Sequence, residues 1–136
     1  MARQHSREGA IQMAKYFVAS TDKAYRTNDP STIAAISSKS CAGCQGVIDD
    51  VAKNKRAGSH QDGQGMRVDA VLPRPTPTNE LAQEVVELLI DSSTVDFVKS
   101  DGSHAFTSTG KKWTLRVFLA WVAGGWQIQA AGEVRQ

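Results

Sequence analysis

The sequence predicts an α+β domain, with N-terminal helices packed on a curved antiparallel sheet. Two observations carry this. Apolar residues recur at the helical period as far as Ala57, then at period two from Met66 onward. The change of period coincides with a Gly-rich segment, so helices come first and strands after, which is the α+β order. A third observation, a closing pair of apolar strands around Gly124-Gly125, makes the sheet antiparallel.

The helices follow in turn. From Arg7 to Arg26, Ala10/Ile11, Met13/Ala14, Phe17/Val18, Thr21 and Ala24/Tyr25 form one apolar stripe. Gln12, Lys15, Asp22, Lys23 and Arg26 fall on the other side. Ser6 can cap the start, and Glu8 suits the positive end of the helix dipole. Asn28-Asp29-Pro30 ends this helix and begins a short one, with Asp29 as cap, Pro30 as first residue and Ile33 and Ile36 as its apolar edge. Ser40 can cap a third helix from Cys41 to about Ala57, with Cys44, Val47, Ile48 and Val51 as its face and Gly58 as its terminator.

Gly58 to Gly65 reads as a flexible polar loop. Met66 to Leu72 alternates as a half-buried strand. Pro73-Arg74-Pro75-Thr76-Pro77 cannot sit inside a sheet and reads as an extended connector. Glu80 to Asp91 is a strand with Val86, Leu88 and Ile90 on one face. Thr94 to Val98 is a shorter one, turned back by Ser100-Asp101-Gly102-Ser103. In the last hairpin, Trp113, Leu115, Val117, Leu119 and Trp121 point one way. A Gly124-Gly125 turn pairs Trp121 with Ile128, Leu119 with Ala130 and, on the opposite face, Arg116 with Glu133. The helices must cover the continuously apolar sheet face, and a twisted sheet wrapped over helices makes a cone with an open end. Residues 1–136 are expected to form one domain, helices over about 7–57 and sheet over about 66–134.

Composition excludes several classes. Of 136 residues, 40% are apolar and 22% charged, which removes a disordered tail. No apolar run is long enough to span a bilayer as a helix. The net charge of +2 is too small for a nucleic-acid-binding domain of this size. Met1 to Ser6 lacks the apolar stretch of a signal peptide. The expectation is of no leader at this end, with a mature domain already freed of its leader as the alternative.

The residues that could carry chemistry are few. Cys41-Ala42-Gly43-Cys44 admits a structural disulfide, a redox pair, a metal site or free thiols. A zinc site would need a second ligand pair, and His5, His60 and His104 are scattered. A thioredoxin-type pair should follow a strand, whereas this one follows a helix. The disulfide is the favoured reading; it would pin the start of the third helix, contribute about 2 kcal/mol and place the chain in an oxidising compartment. Tyr16 and Tyr25 on the first helix and Trp113, Trp121 and Trp126 on the sheet either fill the core or line a ligand pocket at the open end. Asp69, Asp91, Asp96 and His104 are the acid–base candidates, but Asp69 and Asp96 fall on polar sides of their strands. Lys53-Asn54-Lys55-Arg56 reads as charge complementing the C-terminus of the third helix, with binding to an anionic surface as the lesser alternative. No phosphate-binding, dinucleotide-binding, nucleophile-elbow or zinc-protease motif occurs.

Glu8-Gly9-Ala10, Thr27-Asn28-Asp29, Cys41-x-x-Cys44, the Gly-rich loop and Gly124-Gly125-Trp126-Gln127-Ile128 stand in an order that resembles an uncharacterised family of actinobacterial lipoproteins. Those are similar in turn to the NTF2-like or SnoaL-like cone, a cystatin-like architecture. The resemblance implies an exported, lipid-anchored domain with a Cys41–Cys44 disulfide, and no reaction. Three readings follow. The first is a noncatalytic cell-envelope domain that binds a small apolar ligand or a protein partner. The second is a cone-fold enzyme of the isomerase or cyclase kind, which needs an inward carboxylate. The third is an assembly module of a secretion or conjugation apparatus, with a homodimer formed through the sheet. No cofactor, metal or nucleic acid is expected, and membrane contact only through the lipid anchor. Free thiols would instead place the chain in the cytoplasm.

Overall fold

The computed structural model describes residues 4–73 and 83–134. Helices α1 (Arg7–Thr27), α2 (Ser31–Ile36) and α3 (Ala42–Arg56) precede strands β1 (Ser59–Gln61), β2 (Met66–Val71), β3 (Glu84–Ser92), β4 (Val95–Lys99), β5 (His104–Ser108), β6 (Lys111–Val122) and β7 (Gly125–Glu133). The proline connector lies largely outside the described residues, as do 80–82 of the strand expected from Glu80 to Asp91.

The helix ends follow local chemistry. Ser6 Oγ accepts from the Gly9 amide at 3.1 Å, and Asn28 closes α1 in the left-handed region at φ 57°. Helix α2 starts one residue later than expected: Pro30 precedes it, and Asp29 Oδ1 accepts from the Ser31 amide at 3.0 Å. Ser40 does not cap α3, because its hydroxyl pairs with that of Ser38. Cys41 takes that place, its Sγ accepting from the Cys44 amide at 3.2 Å, and Gly58 follows the helix at φ 73°. Cys41 and Cys44 are disulfide-bonded. Between them, Gly43 lies against the Ala131 carbonyl of β7, where a Cβ would overlap it. The short cysteine-bounded turn therefore seats the start of α3 directly on the sheet.

Among the described residues the expected single sheet is two sheets. Strands run β2-β3-β6-β7 in one and β1-β4-β5 in the other, all antiparallel. One long ribbon passes through both. Its register does not change across the join: Ser92 faces Lys111 on one side and Val95 faces Ser108 on the other. The bend falls at Ser93-Thr94 opposite Thr109-Gly110. There Gly110 touches the Ser92 carbonyl so closely that any side chain would collide, and its amide donates to Thr94 Oγ1 at 2.9 Å. Alternation is blind to this bend, because period two continues on both sides of it.

The Gly58–Gly65 segment also differs from expectation. It contains β1, which pairs with β4, and both Ser59 and Gln61 are buried. The last hairpin turns through Ala123-Gly124, at φ 51° and 84°, instead of Gly124-Gly125. Trp121 therefore faces Trp126, and Leu119 faces Ile128. The expected and observed registers differ by two residues, and a two-residue slip leaves every side chain on its original face. Hydrophobic pattern cannot separate them, so turn geometry decides. A bulge at Gln129 then puts Arg116 opposite Gly132, and the expected Arg116–Glu133 pair does not form. Arg116 Nε instead donates to Glu87 at 2.7 Å, and Glu133 accepts from Lys111 at 2.9 Å.

The core lies between the α1 stripe (Ala10, Ala14, Phe17, Val18), Val51 of α3 and the sheet face of Val86, Leu88, Ile90, Leu115, Val117, Leu119 and Ile128. Asp22, expected on the polar side of α1, is only 3% exposed. Its Oδ1 accepts from Gln61 Nε2 at 2.9 Å and from the amides of Gly65 and Met66 at 2.8 and 3.1 Å. Its Oδ2 takes Arg26 Nε at 3.2 Å. A carboxylate gathering three donors from one short stretch of chain is a charge-assisted clamp between α1 and the start of β2. Replacing it strands those donors away from water. Asp22→Ala is expected to cost about 3 kcal/mol in urea unfolding, with fast hydrogen exchange at the Gly65 and Met66 amides.

Candidate functional site

The bend that divides the ribbon swings β4 and β5 away from the large sheet and opens a cleft of about 640 Å³ below α3. One wall is the C-terminal half of α3, with Asp50, Lys53, Asn54 and the adjoining Ala57. The other is the small sheet, with Phe97 and Lys99 from β4 and Ala105 and Phe106 from β5. Tyr25 from α1 and Met66 from β2 complete it. The volume is in the range of roughly 300–1,000 Å³ usual for small-molecule sites.

Three aromatic rings dominate the cleft. Phe97 and Phe106 face each other across β4 and β5, with ring centres 4.4 Å apart and planes within 9°. Tyr25 meets the Phe97 ring edge-on at 6.2 Å. Phe97 is buried, whereas Phe106 stays 43% exposed at the cleft's outer edge. An exposed phenylalanine in a concave, aromatic setting is the kind of surface a planar ligand covers.

The Tyr25 hydroxyl donates to Asp50 Oδ2 at 3.0 Å. Burial pushes the phenol well above the ordinary tyrosine range, and the neighbouring Asp50 charge and the hydrogen bond push it further. Tyr25 is thus a fixed donor at neutral pH, with no proton to give up to a base. Because the folded phenol keeps its proton where an unfolded one ionises, stability falls as pH rises above about 10. In a phenolate absorbance titration, Tyr25→Phe is expected to lose the late-ionising component that the wild type shows.

The other expected site residues fall in different places. Trp113 and Trp121 are eight residues apart on one strand, a span of about 27 Å, so they cannot wall one pocket. Trp113 lines a smaller apolar cavity of about 290 Å³ with Phe17, Val18, Val47, Met66 and Leu115, and its ring N–H donates to Ser92 Oγ at 2.8 Å. Trp121 and Trp126 lie at the opposite end, in edge contact at 5.5 Å. They are covered by the residues just ahead of α1: His5 stacks on Trp121 at 4.5 Å, and Trp126 donates to the Gln4 carbonyl at 2.7 Å. Tyr16 is 50% exposed and lines neither cavity. Of the five aromatic candidates, Tyr25 alone reaches the large cleft.

The acid–base candidates are held in surface pairs. Arg67 binds Asp69 at 3.0 Å and Asp91 at 2.6 Å. Asp96 accepts from Thr107 at 2.7 Å, with the exposed His104 ring 3.7 Å away. None of the four lines the large cleft. Among the described residues, no group of three or more His, Cys, Asp or Glu is placed to hold a metal ion, and no helix is long and apolar enough to cross a membrane.

Asp50, Phe97, Lys99 and Phe106 were not singled out from the sequence. A signal for the aromatic pair existed. Folding residues 95–108 as a hairpin about Asp101-Gly102 puts Phe106 opposite Phe97, but β5 has a mostly exposed face and weak alternation.

This architecture is a cystatin-like cone. The chain superimposes on a domain of unknown function with a cystatin-like fold from Nostoc punctiforme, with a TM-score of 0.53 and 14% identity over 98% of this chain and 79% of that one. It also matches Aln2 from a Streptomyces species, with a TM-score of 0.53 and 15% identity over 96% and 92%. A third match is the intermembrane space region of the chloroplast protein ARC6, with a TM-score of 0.68 and 14% identity over 98% and 99%. Within this class, the chain belongs to the family of unknown function DUF6318, whose signature spans residues 1–132. No curated protein matches it.

Proposed function

We propose that this chain is a noncatalytic, extracytoplasmic binding domain, and that the cleft between α3 and the small sheet takes a small ligand. The observation that carries this is the half-exposed Phe106 stacked on Phe97 inside a concavity of ligand size. The disulfide supports the compartment, since such bonds persist where the surroundings are oxidising. The ARC6 region comes from a space between two membranes, which agrees with that compartment. The resemblance to actinobacterial lipoproteins supports the finer reading that the domain is held at a membrane by a lipid anchor. A noncatalytic role is supported by the state of the carboxylates: Asp22 is saturated by backbone and side-chain donors, and Asp69 and Asp91 share Arg67.

Two measurements test it. Nile red, a neutral planar dye, should brighten on binding the wild type, and Phe106→Ala should weaken that binding at least tenfold with an unchanged thermal midpoint. A dark wild type, or a variant that binds equally, overturns the cleft as the site. In protein isolated from its native host, Cys41 and Cys44 should resist alkylation until reductant is added. Immediate alkylation of both overturns the compartment.

A further inference from the structure

We infer that the cleft selects amphiphilic anions: small molecules with a flat apolar body and one carboxylate-type group. The inference rests on the binding reading above and goes beyond it by naming the ligand's charge. The apolar part is set by Phe97, Phe106 and Tyr25. The charge is set by the remaining ionisable side chains of the lining, Asp50, Lys53 and Lys99.

Asp50 keeps its negative charge and is outnumbered by the two lysines, and its Oδ2 is already engaged by the Tyr25 hydroxyl. The two lysines are not. Elsewhere Arg7, Arg26, Arg67, Lys111 and Arg116 each hold a carboxylate within hydrogen-bonding distance, and the other unpaired cations among the described residues lie outside the cleft lining. Among the described residues, Lys53 and Lys99 form no such pair. Asp101, whose carboxyl the Ser103 hydroxyl and amide at 2.6 and 2.9 Å and then the Lys99 charge hold below the usual carboxylate range, feels that charge without forming an ion pair with Lys99. Lys55 and Arg56 share the last turn of α3 with Lys53 and add to the positive potential there. The helix's own C-terminal dipole offsets only about half a charge of it. The lysines come from opposite walls, one on α3 and one on β4. An anionic group between them gains from both, while its ring covers the exposed face of Phe106.

Three probes of one shape separate charge from shape: 2-naphthoate, 2-naphthylmethanol and 2-naphthylmethylammonium. Each is titrated into the isotope-labelled protein and followed by backbone amide NMR. Naphthoate should shift signals of Val95–Lys99 and Ala105–Ser108 and bind about tenfold more tightly than the alcohol, the scale of two solvent-exposed charge contacts. The ammonium should bind most weakly. A double variant, Lys53→Gln with Lys99→Gln, should bring naphthoate down to the affinity of the alcohol and leave the alcohol unchanged. Both lysines are exposed and make no ion pair among the described residues, so the variant should fold. Equal binding of all three, preference for the ammonium, or no effect of the double variant overturns the charge inference and leaves the binding reading standing. No shift in β4 or β5 with any probe, or shifts centred on Trp113, overturns the binding reading as well.

Discussion

The bend in the β3–β4 and β5–β6 ribbon decides where the small sheet stands and with it the cleft. A two-stranded ribbon that ran straight from Glu84 to Lys99 would leave a single open sheet beneath the helices. Because Gly110 lets its strand press against the Ser92 carbonyl, the ribbon turns there and its far end belongs to a second sheet. In that second sheet β1 contacts α3, while Phe97, Lys99 and Phe106 of β4 and β5 line open space beside the helix's C-terminal half. The space is the cleft. Its aromatic lining follows from the unchanged register, which carries Phe97 and Phe106 to the same cross-strand position beyond the bend.

A bend of this kind leaves the small sheet with little core of its own, and polar contacts make up the difference. Asp22 reaches from α1 to the loop between β1 and β2 and satisfies the amides of Gly65 and Met66. Gly65 in turn accepts from the Ser93 amide at 2.6 Å, so the clamp extends to the bend itself. Asn28 at the end of α1 donates to the Ser59 carbonyl at 2.8 Å. The floor of the cleft is thus tied to α1 by hydrogen bonds, while the large sheet is tied to it by apolar burial. At the other end the disulfide fixes the first turn of α3, and the close approach of Gly43 to the Ala131 carbonyl seats that turn on β7. The position of α3 relative to the small sheet, and hence the width of the cleft, is set between these two fastenings.

The legible parts of the fold were those governed by local periodicity. The α1 stripe, the Ser6 cap, the Gly58 terminator and the inward faces of β3 and β6 all stand where period and cap chemistry put them. Asp22 was not legible, because a helical wheel assigns an acidic residue to solvent and says nothing of distant donors. The hairpin register escapes the sequence for a different reason. Alternation constrains only the parity of the pairing, and Ala123 accepts a positive φ that a sequence reading reserves for glycine. The tryptophans were grouped because they share a face. Sharing a face still leaves Trp113 a strand's length from the touching pair Trp121 and Trp126.

Read alone, the order of amino acids settles the fold class, the succession of helices and then of strands apart from β1 and β5, the faces turned to the core and the adjacency of Cys41 and Cys44. These are properties of short stretches, where a side chain's chemistry and its neighbours suffice. Only the folded chain shows that the sheet divides, that Asp22 is buried, and that Tyr25, Asp50, Lys53, Phe97, Lys99 and Phe106 meet around one cleft. Those residues come from four separate elements, α1, α3, β4 and β5. What brings them together is a steric event at one glycine and the hydrogen bonds that hold its consequence, and neither leaves a periodic trace.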